Sequence, residues 1–183
     1  IVAKNYLKFG FFDLKFGQLA SLVAEDQIKP GNFYTHYPPL LTILIAVSFY
    51  FFGVVEWAER LVPVIFSFIG VISLYLICKK VWNKRVAFFA AIFYLLNPMF
   101  IYFGSMAVPD PPVLGLSLLA IYLYLIWLEK FSNKIFGFLC LVFLIRGLLG
   151  WEVFYLGVLL ILHSLIYKKF KWKLVFLSFI SFG

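Results

Sequence analysis

Tyr102-Phe103-Gly104-Ser105-Met106-Ala107-Val108-Pro109-Asp110-Pro111-Pro112 separates two apolar runs, residues 86–103 and 113–128. At a rise of about 1.5 Å per residue, either run as a helix covers most of a hydrocarbon layer about 30 Å thick. Asp110 is the only ionised side chain between Arg85 and Glu129. A carboxylate fixed between prolines at a membrane boundary costs free energy that packing does not require. By itself it reads either as a solvated loop acid between two helices or as a group kept for chemistry.

The surrounding chain puts that acid in a membrane protein. Of 183 residues, 64% are hydrophobic and 13% charged, and the mean hydropathy is +1.02. A soluble domain of this composition would expose one continuous apolar surface. The predicted fold class is all-α integral membrane, a multispanning helical bundle with interfacial helices. Residues 1–39 are expected to form a first extracytoplasmic loop with an interfacial helix, and residues 40–183 the transmembrane bundle. Ile1 in place of Met, and a final run 174–183 too short to span, predict a piece of a longer protein truncated at both ends.

The net charge of +8 does not describe a nucleic-acid surface, because the bases alternate with apolar runs. Lys79, Lys80, Lys84 and Arg85 form one cluster, Lys130 and Lys134 a second, and Lys168, Lys169, Lys171 and Lys173 a third. Clusters between spans mark cytoplasmic loops. Segments 53–60, 104–112 and 150–152 then face outward, in a multi-pass protein of the cell membrane. The predicted spans are 61–78, 86–103 with Pro98 as a kink, 113–128, 135–149 and 153–167. The run 40–52 has 13 residues, about 20 Å as a helix, and is short for a crossing. It is expected to be re-entrant or interfacial, so that His36-Tyr37-Pro38-Pro39 shares the outer face with Asp110. Cys78 and Cys140 lie within or at the end of apolar runs and suggest neither a disulfide framework nor a metal knuckle.

Residues 1–38 differ from the rest. Val2, Tyr6 and Phe9 fall on one helical face, Lys4 and Lys8 on another, and Gly10 can end the helix. Aromatics mixed with lysines suggest a segment in the interface plane, or else a loop ordered by packing. Residues 25–32 read as an exposed turn.

Tyr34-Thr35-His36-Tyr37-Pro38-Pro39-Leu40, followed by Phe52-Gly53-Val54-Val55-Glu56-Trp57-Ala58-Glu59-Arg60-Leu61, resembles the start of the polyprenyl-phosphate-dependent C-type (GT-C) glycosyltransferases. Val81-Trp82-Asn83-Lys84-Arg85-Val86-Ala87 and Asn97-Pro98 through Asp110-Pro111 fit the same pattern, so the likeness covers nearly the whole chain. The nearest branch is that of dolichyl-phosphate-mannose-protein mannosyltransferases and lipid A aminoarabinose transferases. The resemblance implies transfer of a sugar from a polyprenyl-phosphate donor to a protein, lipid or glycan acceptor outside the cytoplasm. It implies a principal catalytic Asp upstream of Ile1, and matches Asp110 to a second acid that orients the acceptor or helps hold a divalent metal ion. That ion is the one candidate cofactor. The expected partners are the lipid-linked donor, the acceptor and membrane lipids, with no nucleic acid.

Sugar transfer from a lipid phosphate needs a carboxylate for the acceptor proton and cationic groups for the departing phosphate. Asp110 is the catalytic candidate. The substrate-binding candidates are Tyr34, His36, Pro38, Arg60, Arg146, Trp151 and Glu152. Arg146, inside an apolar run, either snorkels to the interface or binds phosphate. Arg60 has Glu56 four residues earlier and is expected to pair with it. His36 either orders its loop or binds substrate. Glu152 is either a helix N-terminal acid or part of a pocket with Trp151 as a stacking platform. His163 and Glu129 fall on the inner side and take no role. The competing reading is a transporter or lipid flippase, with Asp110, Arg146 and Glu152 along its pathway.

Overall fold

Gly10, with φ at +86°, ends the first helix where the periodicity places its end. The computed structural model describes residues 1–20, 28–168 and 171–180. Residues 25–27 of the predicted turn, Lys169 of the third basic loop and residues 181–183 lie outside the described residues. The helices are α1 (Val2–Phe9), α2 (Leu40–Phe52), α3 (Glu56–Val81), α4 (Lys84–Leu95), α5 (Pro98–Phe103), α6 (Asp110–Lys130), α7 (Asn133–Gly147), α8 (Val153–Ile166) and α9 (Lys173–Ile180). Two short strands, β1 (Gln18–Leu19) and β2 (Phe33–Tyr34), pair antiparallel with Leu19 opposite Phe33. The chain is mostly helical, and α3 and α6 are long and apolar enough to cross a membrane by length and composition.

Those two helices form the centre and run parallel. Gly70 meets Gly115 near their middles, and Lys80 Nζ pairs with Glu129 at their ends. The approach depends on glycine: a Cβ on Gly115 would stand 2.2 Å from the Phe66 carbonyl oxygen. A Gly115→Ala variant must therefore push α3 from α6, at a cost of about 1–3 kcal/mol. The expected result is a lower Tm in detergent, and an unchanged Tm would refute the tight crossing.

The basic loops gather at the end where α3 and α6 finish. Besides the Lys80–Glu129 pair, Lys173 Nζ donates to Asn133 Oδ1 at 2.8 Å and Lys171 lies over the Phe131 ring. At the opposite end, both ends of α2 are tied down. The Leu40 N–H donates to Leu148 O at 3.3 Å, and Ser48 Oγ donates to Ala58 O at 2.7 Å. Leu148 follows α7 and Ala58 lies in the first turn of α3, so α2 bridges elements at one end of the bundle.

The N-terminal segment is anchored to α2. Tyr6 is buried, stacks on Phe11, and donates its hydroxyl to Phe16 O at 2.8 Å. Burial pushes its phenol above the ordinary range, and a hydrogen bond with Thr42 partly opposes this. Asn5 Nδ2 donates to Leu19 O, and Gln18 Nε2 to Tyr37 O. Phe12 remains 83% exposed beside this packed knot.

Three boundaries differ from the sequence expectation, the first being that α3 opens at Glu56, inside the segment 53–60 read as an outer loop. The predicted span 86–103 is not one kinked helix, because α4 stops at Leu95 and α5 begins at Pro98. Proline forces the preceding Asn97 out of the helical region, to φ −63° and ψ +126°, and Asn97 Oδ1 then caps the new helix by accepting from the Met99 N–H. Asp110 is not a loop residue but opens α6. Pro111 and Pro112 fit a first turn that has no use for their missing N–H, and the helix dipole favours a carboxylate there.

Candidate active site

The break at Asn97–Pro98 leaves room between helices. A cavity of about 650 Å³ lies there, walled by Met99, Phe100 and Phe103 around α5 and by Pro111, Val113 and Leu114 of α6. Into this mostly apolar space come Asp110 and Ser117 of α6, Arg146 of α7, Ser67 of α3 and Asn97. Ser67 Oγ donates to Gly104 O at 2.7 Å, which fixes the chain between α5 and α6 against α3.

Asp110 is exposed and sits in the first turn of α6. Arg146 is 4% exposed, so it does not snorkel out of the bundle. Its Nε donates to Ser117 Oγ at 3.0 Å and its Nη1 to Gly150 O at 3.1 Å, with Glu152 Oε2 3.6 Å from Nη1. Burying a guanidinium costs several kcal/mol, which these partners and the C-terminal end of the α7 dipole offset in part.

The other predicted residues gather at the same end but outside the cavity wall. Trp151 Nε1 donates to His36 O at 2.8 Å, and the His36 ring stacks on Tyr34 at 5.3 Å between centroids. Pro38 is half-buried in the same segment. Gly150 adjoins Val113, one helical turn beyond Asp110, which links this group to the cavity mouth. Glu152 occupies the position before α8 without a side-chain capping bond, and its carboxylate faces Arg146. Arg60 pairs with Glu56 at 2.7 Å and reaches Ser105 Oγ at 3.3 Å on the segment leading to Asp110.

Ser117, Ser67 and Asn97 line the cavity and were not singled out from the sequence. Ser117 carries a readable signal: a hydroxyl seven residues after Asp110 in an apolar helix lies on the same face. The chemistry present suits an anion beside a hydroxyl-bearing group, with one fixed cation and one carboxylate. It does not suit a metal ion. Among the described residues no three His, Cys, Asp or Glu side chains come together, and Arg146 already places positive charge in the cavity with Asp110.

A family model described as dolichyl-phosphate-mannose-protein mannosyltransferase matches residues 36–182. No curated protein and no solved structure matches the chain.

Proposed function

The chain belongs to the dolichyl-phosphate-mannose-protein mannosyltransferase family, and from that premise we propose that it transfers a sugar from a polyprenyl-phosphate-linked donor to a protein, lipid or glycan acceptor on the extracytoplasmic face of the cell membrane. The observation that carries this reading is the shared cavity of Asp110 and Arg146 at the end of the bundle away from the lysine loops. Arg146 receives the donor phosphate and stabilises its charge as the sugar–oxygen bond breaks. Asp110 accepts a hydrogen bond from the acceptor hydroxyl and helps to remove its proton as the new glycosidic bond forms. The apolar wall around α5 excludes water, which would otherwise compete as acceptor.

The test uses the complete protein in liposomes with a polyprenyl-phosphate-linked mannose. Transfer predicts release of free polyprenyl phosphate together with a glycosylated acceptor. A transporter or flippase would move the lipid across the bilayer with its sugar–phosphate bond intact, and that outcome would replace this reading.

The multispanning topology belongs to the same proposal. With Cys78 and Cys140 changed to Ala, single cysteines at Ala107 and Lys84 should react with a membrane-impermeant maleimide from opposite sides, Ala107 from outside. Labelling of both from one side would overturn the arrangement.

A further inference from the structure

The guanidinium of Arg146 is held at two of its three nitrogens. Nε donates to Ser117 Oγ and Nη1 to Gly150 O, while Nη2 makes no hydrogen bond among the described residues. Ser117 can serve in only one sense. Its own proton goes to Val113 O, four residues earlier, at 2.7 Å, so its oxygen is left to accept from Arg146. A serine bonded back to its own helix is ordinary in apolar helices. Here the same oxygen also ties α6 to a buried charge on α7.

We propose that Ser117 is a positioning residue, which locks Arg146 so that its Nη2 hydrogens are set in advance toward the cavity for a phosphate oxygen of the lipid-linked donor. The inference rests on the function proposed above and adds the element that orients its cation. Glu152 lies 3.6 Å from the same nitrogen that bonds Gly150. A guanidinium held at two points presents its remaining donors in a fixed plane, and a phosphate then binds without first ordering the side chain. The Val113 carbonyl completes the relay by fixing the rotamer of the hydroxyl. Threonine retains that hydroxyl at the same carbon, whereas alanine removes it.

Two readouts on the complete protein in nanodiscs test this, for wild type, Ser117→Ala and Ser117→Thr. The first is equilibrium binding of decaprenyl monophosphate, alongside KM and kcat for the sugar donor. Loss of one hydrogen bond to a charged group is expected to weaken binding and raise KM about 10-fold in Ser117→Ala, with a smaller change in kcat. Ser117→Thr should restore both. The second is hydrogen exchange at the Arg146 Nε–H, followed by nitrogen-15 arginine spectra, which Ser117→Ala should accelerate and Ser117→Thr should not. Unchanged exchange and unchanged affinity in Ser117→Ala would overturn the proposal. So would a Ser117→Thr variant as impaired as Ser117→Ala at an unaltered Tm. A wild type that binds no decaprenyl phosphate, with Nε–H exchange still accelerated by Ser117→Ala, overturns the donor assignment and upholds the positioning of Arg146.

Discussion

Asp110→Asn is expected to lower sugar transfer by about 100- to 10,000-fold, the range of a carboxylate that helps move a proton in the transition state. The substitution keeps shape and volume, and the side chain is exposed at the start of α6, so little packing is disturbed. The structural loss is the attraction between a carboxylate and a helix N-terminus, about 0.3–1 kcal/mol. Pro111 and Pro112 still define the first turn. Activity should therefore collapse while Tm moves little, and the pair of measurements separates chemistry from folding. Turnover at the wild-type level would remove Asp110 from the mechanism.

The second large effect concerns Arg146→Met, for which activity and stability should part company. Loss of a preset donor at the departing phosphate is expected to lower kcat/KM by about 100- to 1,000-fold. Stability should hold or rise, because the desolvation of a buried guanidinium costs several kcal/mol before its partners are counted. Of the partners left behind, the buried Gly150 carbonyl loses its donor, at about 1–3 kcal/mol, while the other two are tolerant. Ser117 keeps its bond to Val113 O, and Glu152 is nearly half exposed and can be solvated. Arg146→Lys keeps the charge but loses the planar fork, and should recover part of the rate. The measurement is donor turnover beside thermal unfolding of the same preparations. A variant that loses activity and Tm in proportion would mark Arg146 as a structural pin.

The sequence made the local features readable and left the cross-helix ones hidden. The run Leu40–Phe52 agrees with its apolar stretch because Pro39 and Gly53 punctuate both ends. Arg60 and Glu56 meet because four residues separate them on one helix. Gly10 ends α1 by the conformation that only glycine takes freely. Other features depend on partners distant in the chain. Whether Arg146 would snorkel or turn inward is decided by Ser117, a residue 29 positions away on another helix. The separation of α4 from α5 follows from the cap on Asn97, where a proline alone also allows a kinked continuous helix. The cavity follows from that break, so it could not be drawn from apolar runs counted by length. Composition likewise indicated membrane spans, while the parallel contact of α3 and α6 rests on two glycines 45 residues apart, Gly70 and Gly115.

The interruption after Leu95 has a further effect on the surrounding lipid. With 12 residues, α4 reaches only about 18 Å, and α2 is bound to one end of the bundle. In the proposed orientation a helix of that length does not match a hydrocarbon layer of about 30 Å, and thinning of the adjoining leaflet is the expected response. Thinning there would draw headgroups and interfacial water down beside α5 and shorten the distance that the charged end of an amphiphile travels to reach Arg146. Acyl-chain length in the host bilayer is then expected to control entry to the cavity.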